Sequence, residues 1–148
     1  MSMTDPMRNT DQSIDWSLFA AWLVALGATG GALFIGEVLG QAPCDLCWFQ
    51  RTFMFPLAVV LGIAALRGDR AITPYALALA CFGGAIAVFH TLRYFDVIPE
   101  AIRPCTATGP SCSGAGMVVV GVPIPFLSLV AFAAIAVLLL VPRTKASR

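Results

Sequence analysis

Charge is what this chain most lacks. Only 11% of its 148 residues are Asp, Glu, Lys or Arg, where a soluble domain carries about 25%, and the mean hydropathy is +0.86. So little charge leaves no water-facing shell for a soluble globule and no basic patch for a nucleic acid. No internal repeat, polar linker or low-complexity segment interrupts the chain, so it reads as a single membrane domain over 1–148. Soluble-cofactor signatures are missing too. Trp48 follows Cys47, so there is no C-x-x-C-H for haem, and the glycines fall in no flavin or phosphate-binding pattern.

What is present is a set of long apolar runs. Trp16 to Gly36 and Ala71 to Leu92 carry no charge, and Val122 to Val141 is apolar apart from Pro123, Pro125 and Ser128. Each has about the 20 residues that cross roughly 30 Å of hydrocarbon. Trp48 to Leu66 contains Arg51 near one end, and its uncharged core makes it the least secure of the four by length. The reading is an all-α membrane protein, an antiparallel bundle of four transmembrane helices at about 16–37, 47–66, 71–92 and 122–141. Residues 1 to 15 are polar and the apolar run after them is too long for a signal core, so the first helix is expected to remain in the mature chain.

Basic residues set the orientation. The N-terminus, the Arg67 to Arg70 turn and the tail from Arg143 to Arg148 hold six of the nine Lys and Arg residues. The positive-inside bias therefore makes both termini cytoplasmic, with 1–15 and 142–148 on that side. The outer loops are then about 38–46 and 93–121, the second irregular with a short surface helix near Phe95 to Ala101.

This topology sorts the five cysteines. Cys44 and Cys47 lie at the outer end of the second helix, and Cys105 and Cys112 in the second outer loop, on the side where disulfides persist. Cys81 lies midway along the third helix among alanines and reads as a small buried apolar residue. A bare C-x-x-C also suits a structural cross-link or half a metal site. Its setting favours redox chemistry: Pro43 fits a helix start, and a helix N-terminus and a nearby cation both lower a thiol pKa. Arg51 follows Cys47 by four residues and shares its face. The loop pair by itself suits a structural disulfide equally well; beside the first pair it suggests a relay through mixed disulfides. With no soluble-cofactor motif, the terminal acceptor should be lipid-soluble, and a quinone meets that need. Cys47, Trp48, Arg51 and His90 are the candidate walls of its headgroup site, with Arg93 nearby; no metal site is assigned.

Cys44-Asp45-Leu46-Cys47-Trp48-Phe49-Gln50-Arg51, with Met54-Phe55-Pro56 and Leu61-Gly62-Ile63-Ala64-Ala65, resembles the second helix of the DsbB family of bacterial disulfide-forming membrane proteins. The resemblance is closer to its short branch, disulfide formation protein C or BdbC. Val88-Phe89-His90, the loop cysteines and Val122-Pro123-Ile124-Pro125-Phe126-Leu127-Ser128-Leu129 are similar to the same branch, and the likeness spans about residues 16 to 141. It implies a bacterial inner-membrane protein that reoxidises an extracytoplasmic thioredoxin-fold thiol oxidase, DsbA- or BdbD-like, and passes the electrons to ubiquinone or menaquinone. By position, Cys105 would take the partner's attack with Cys112 as its pair. Cys44 and Cys47 would form the quinone-linked disulfide, with Cys47 as the thiolate at the quinone and Arg51 and His90 in support. The loop between Cys105 and Cys112 is shorter than in the enterobacterial form. Rival readings are a reducing conduit, a relative of the vitamin K epoxide reductases, and an adaptor or transporter whose outer cysteines are structural disulfides or a zinc site.

Overall fold

The computed structural model describes residues 15–98 and 118–142. Cys105 and Cys112 lie outside them, as do residues 1–14 and the basic tail. Helix α1 runs Trp16–Leu33 and continues as a π-turn, Phe34–Val38. Helix α2 is Asp45–Arg67, a 3₁₀ turn covers Arg70–Ile72, α3 is Thr73–Tyr94 and α4 is Ile124–Leu140. The four pack as a ring: α1 on α2, α2 on α3, α3 on α4 and α4 back on α1. Trp16–Val38, Asp45–Arg67 and Arg70–Tyr94 are long and apolar enough to cross a membrane, and α4 is a shorter apolar helix. The shortest helix is thus α4, with 17 residues, rather than α2, whose 23 residues take in the cysteine motif.

The helices are apolar nearly all round, so polarity does not mark the buried face; residue size does. Along α3 the buried positions are Ala76, Ala80, Gly83, Ala87 and His90, spaced alternately four and three residues apart, while Tyr75, Phe82, Val88 and Leu92 point outward. Lipid tails are as apolar as leucine, so close backbone approach, rather than a hydrophobic driving force, holds such helices together. Gly83 shows how close: a Cβ there would run into the Phe132 ring of α4. Leu18, Ala21 and Ala25 of α1, Leu57 and Leu61 of α2, and Phe132 and Ile135 of α4 complete the core.

The loop into α4 holds a small addition to the helical plan. Val118–Val119 pairs with Val122–Pro123 in a two-residue antiparallel ladder, and both turn residues, Val120 (φ 52°) and Gly121 (φ 80°), are left-handed. Two positive φ values match the twist of a tight hairpin, although a β-branched residue reaches that region only under strain. Over the described part of the expected surface helix, residues 95–98, no helix forms; residues 99–101 lie outside the described residues. α3 runs on through Tyr94 and stops in a turn at Phe95 and Asp96.

The end of the bundle away from the cysteines is closed by one ionic network. Asp15 caps α1, accepting from the Leu18 amide and from Ser17 Oγ. Arg70, at the start of the 3₁₀ turn, pairs with both carboxylate oxygens of Asp15, donates to Ser17 Oγ, and reaches the Val141 carbonyl past the end of α4 at 2.8 Å. One guanidinium thereby ties α1, α3 and α4 together. The Arg70 hydrogen bond holds the Asp15 carboxyl down at about 2, below its usual 3.8. A carboxylate lowered in the fold contributes stability above its ordinary pKa and loses it as pH falls through the folded value. Asp15→Asn should therefore cost on the order of 1–3 kcal/mol at neutral pH. Thermal unfolding in detergent should show the wild-type midpoint falling between pH 4 and 2 and a variant without that drop; a variant that keeps it would remove this network from the stability of the fold.

Candidate redox site

Pro43 and the helix that follows it place the two thiols. Cys44 is the N-cap of α2, extended at φ −71° and ψ 169°, and its carbonyl accepts from the Trp48 amide. Cys47 falls in the first turn, and its sulfur lies 3.0 Å from that of Cys44. Both sit where unpaired backbone amides and the helix dipole favour an anion. Cys44 is only 1% exposed, in a small cluster with Leu46, Ile86 and Phe89, whereas Cys47 is half-buried.

Behind the pair stands the chain's one histidine. His90 extends the inward stripe of α3 and is fully buried, with Nε2 3.8 Å from Cys44 Sγ and Nδ1 3.1 Å from Gln50 Nε2. A Gln50 amide that donates to Nδ1 leaves a ring hydrogen on Nε2, facing Cys44. The Cys47 thiol, donating to Cys44, is the main reason the Cys44 thiol falls to about 5 from its usual 9; burial opposes this, and His90 adds to it. These surroundings favour the thiolate of the reduced pair on Cys44, with Cys47 as its donor, the reverse of the role that the resemblance implies for Cys47.

A cavity of about 400 Å³ opens between α1, α2 and α4, walled by Gly27 and Gly31, by Met54 and Leu127, and by Cys47 and Arg51. Its lining is mostly apolar, with a few polar side chains at the cysteine end, as in small-molecule sites of roughly 300–1,000 Å³. Arg51 donates to the Ala32 carbonyl at 2.7 Å and lies 5.5 Å from the Trp48 ring centroid. Gly36 makes room for it, since a Cβ at that position would stand 3.3 Å from the guanidinium.

The structure therefore brings Cys44, Cys47 and His90 together, and Cys47 and Arg51 together, but not all the predicted residues around one headgroup. His90 is absent from the cavity wall; it meets the cavity through Gln50, which lines it, and touches Cys47 only by way of Cys44. Trp48 is 56% exposed on the outer side of α2 and supports Arg51 rather than lining the cavity. Arg93 turns back to the Ile98 carbonyl. Cys81 is exposed, not buried, because it follows Ala80 of the inward stripe and so turns away from the core. Gln50, buried between His90 and the cavity, is the residue the sequence reading passed over. Its signal was there: it is in step with Leu46, Met54, Leu57 and Leu61, the buried side of α2.

A buried C-x-x-C at the mouth of an apolar helix bundle, with a histidine on one sulfur and a cavity on the other, defines a membrane thiol–disulfide oxidoreductase. Comparison with known proteins makes this specific. The sequence model described as "Disulfide bond formation protein DsbB" matches residues 15–142. A "Probable disulfide formation protein" of Metapseudomonas resinovorans is 56% identical over 141 residues, 94% of this chain and 98% of its own length. One of Deinococcus radiodurans is 41% identical over 140 residues, covering 88% of this chain and 91% of the relative. "Disulfide bond formation protein C" of Bacillus subtilis is 41% identical over 116 residues, covering 78% and 83%. No solved structure matches. The chain belongs to the DsbB family, membrane oxidoreductases that generate disulfide bonds, which sets the adaptor and transporter readings aside.

The thiol arrangement has a direct spectroscopic consequence. Thiolate absorbance of the reduced pair should persist to about pH 5. In Cys47→Ala, which removes the main donor, the Cys44 titration should move up by at least one pH unit; an unmoved titration would mean that Cys47 does not hold the Cys44 charge.

Proposed function

We propose that this chain reoxidises an extracytoplasmic thioredoxin-fold dithiol protein, DsbA- or BdbD-like, and delivers the electrons to ubiquinone or menaquinone in the bacterial cell membrane. The observation that carries the reading is that Cys47 belongs at once to the buried thiol pair and to the wall of the cavity. The residues present fit a quinone headgroup: an apolar cleft, a sulfur at its edge, and Arg51 as a cationic donor to a carbonyl oxygen. When bound, a quinone would take up two electrons and two protons and leave as quinol. The sum is partner dithiol plus quinone giving partner disulfide plus quinol, balanced in atoms and electrons.

The chain's own residues divide this work. Cys105 receives the partner's thiolate, with Cys112 as its pair, and exchange passes the electrons to Cys44 and Cys47. Cys44, held as a thiolate by Cys47 and His90, is poised 3.0 Å from Cys47 to close the disulfide as the electrons leave. Gln50 fixes the imidazole that supports this charge. Both termini are cytoplasmic in this reading, with the cysteine pairs on the extracytoplasmic face.

Purified protein, a reduced thioredoxin-fold partner and a soluble quinone analogue test the relay. Quinone consumption should be abolished in Cys44→Ala, Cys47→Ser and Cys105→Ala; consumption surviving any of these sinks the reading. Arg51→Ala removes a charged hydrogen bond worth about 1.5–3 kcal/mol and should raise the quinone KM roughly tenfold or more while leaving the partner KM unchanged. An unchanged quinone KM would take Arg51 out of the site.

A further inference from the structure

We infer that the reduced redox pair is also one face of a metal site: Cys44, Cys47 and His90 together form a three-ligand chelate for a thiophilic divalent cation such as Zn²⁺ or Cd²⁺. The two sulfurs and one imidazole nitrogen all lie within 4.8 Å of one another. Cys44 and His90 are buried and fixed by packing, so two of the three ligands are already in place.

The adjustment falls on Cys47, whose sulfur must move to within tetrahedral distance of both other ligands from a cluster already within 4.8 Å. Tetrahedral zinc with Zn–S of about 2.3 Å and Zn–N of about 2.0–2.1 Å sets its ligand atoms roughly 3.5–3.8 Å apart. Cys44 Sγ and His90 Nε2 already stand 3.8 Å apart. The sulfurs, at 3.0 Å, must part by about 0.8 Å, and Cys47 has the cavity beside it in which to turn. Three protein ligands leave the fourth position for water.

Gln50 makes the imidazole adaptable. Coordination through Nε2 requires the ring hydrogen on Nδ1, where it needs an acceptor. A glutamine amide can turn to present its oxygen in place of its nitrogen, so the same side chain supports the thiolate-bound and the metal-bound tautomers. Charge is balanced as well: two thiolates neutralise the dication, the remaining thiol proton is released on binding, and no electron moves.

Metal and disulfide then exclude one another, because each uses the same two sulfurs. Binding stands on the geometry alone; the further consequence, that bound metal arrests turnover, rests on the thiol-oxidase reading. The full chain carrying Cys81→Ser, Cys105→Ser and Cys112→Ser, reduced in detergent, leaves this pair as its only thiols. Titration with Cd²⁺ should give one equivalent with sulfur-to-metal charge-transfer absorbance, and none after the pair is oxidised. His90→Ala and Gln50→Leu should each weaken affinity at least tenfold. X-ray absorption of the Zn²⁺ form should show two sulfurs and an imidazole nitrogen, a readout that does not depend on either variant folding. A zinc shell without imidazole, undiminished affinity in a folded His90→Ala, or equal binding by the oxidised pair would overturn the site. Stoichiometric binding to the wild-type chain with undiminished turnover would leave the site standing and count against the relay.

Discussion

A polar side chain inside a lipid-immersed bundle has no water to turn to, and the seating of α3 against α2 answers to that constraint. Each unpartnered donor or acceptor there costs several kcal/mol. Gln50, His90 and Cys44 meet it by satisfying one another in a line across two helices. The line forms only because α3 offers alanine and glycine along its inner face, which lets it come close. Small residues thus do more than pack: they set the separation at which the imidazole touches both sulfur and amide.

The same logic runs through the opposite wall of the site. Arg51 is a cation within an apolar helix, tolerable because the Ala32 carbonyl and the Trp48 ring each take part of its charge. Gly36, at the π-turn of α1, leaves the guanidinium room. π-turns recur at functional sites, and this one stands where α1 borders the cavity. At the far end, Asp15 and Arg70 neutralise one another while joining three helices. Among the described residues, the ion pair and the thiol–imidazole cluster therefore stand at opposite ends of the bundle.

Much of this was legible in the sequence, for reasons that differ by residue. Four helices follow from run length and the exclusion of charge, and Pro43 announces where α2 starts. The cysteine pair and Arg51 stand out because chemistry-bearing residues are rare in apolar surroundings. The inner positions of His90 and Gln50 were written in a periodicity of size, which a reading by hydrophobicity passes over when helices are apolar on every side. Cys81 was misplaced for the same reason: alanine neighbours suit a lipid-facing position as well as a buried one. The hairpin before α4 had only Gly121 as a local signal, since its other turn residue is a valine at φ 52°, against that residue's own preference.

The burial of Cys44 has a kinetic meaning. Thiol–disulfide exchange needs a line of approach to the sulfur being attacked, and almost none of Cys44 can be reached from solution. Cys47 turns its accessible side toward an apolar cleft, a poor place for a hydrophilic, charged peptide thiol. The pair is therefore shielded from small soluble reductants by shape and polarity. The bundle thus acts as insulation around a buried contact.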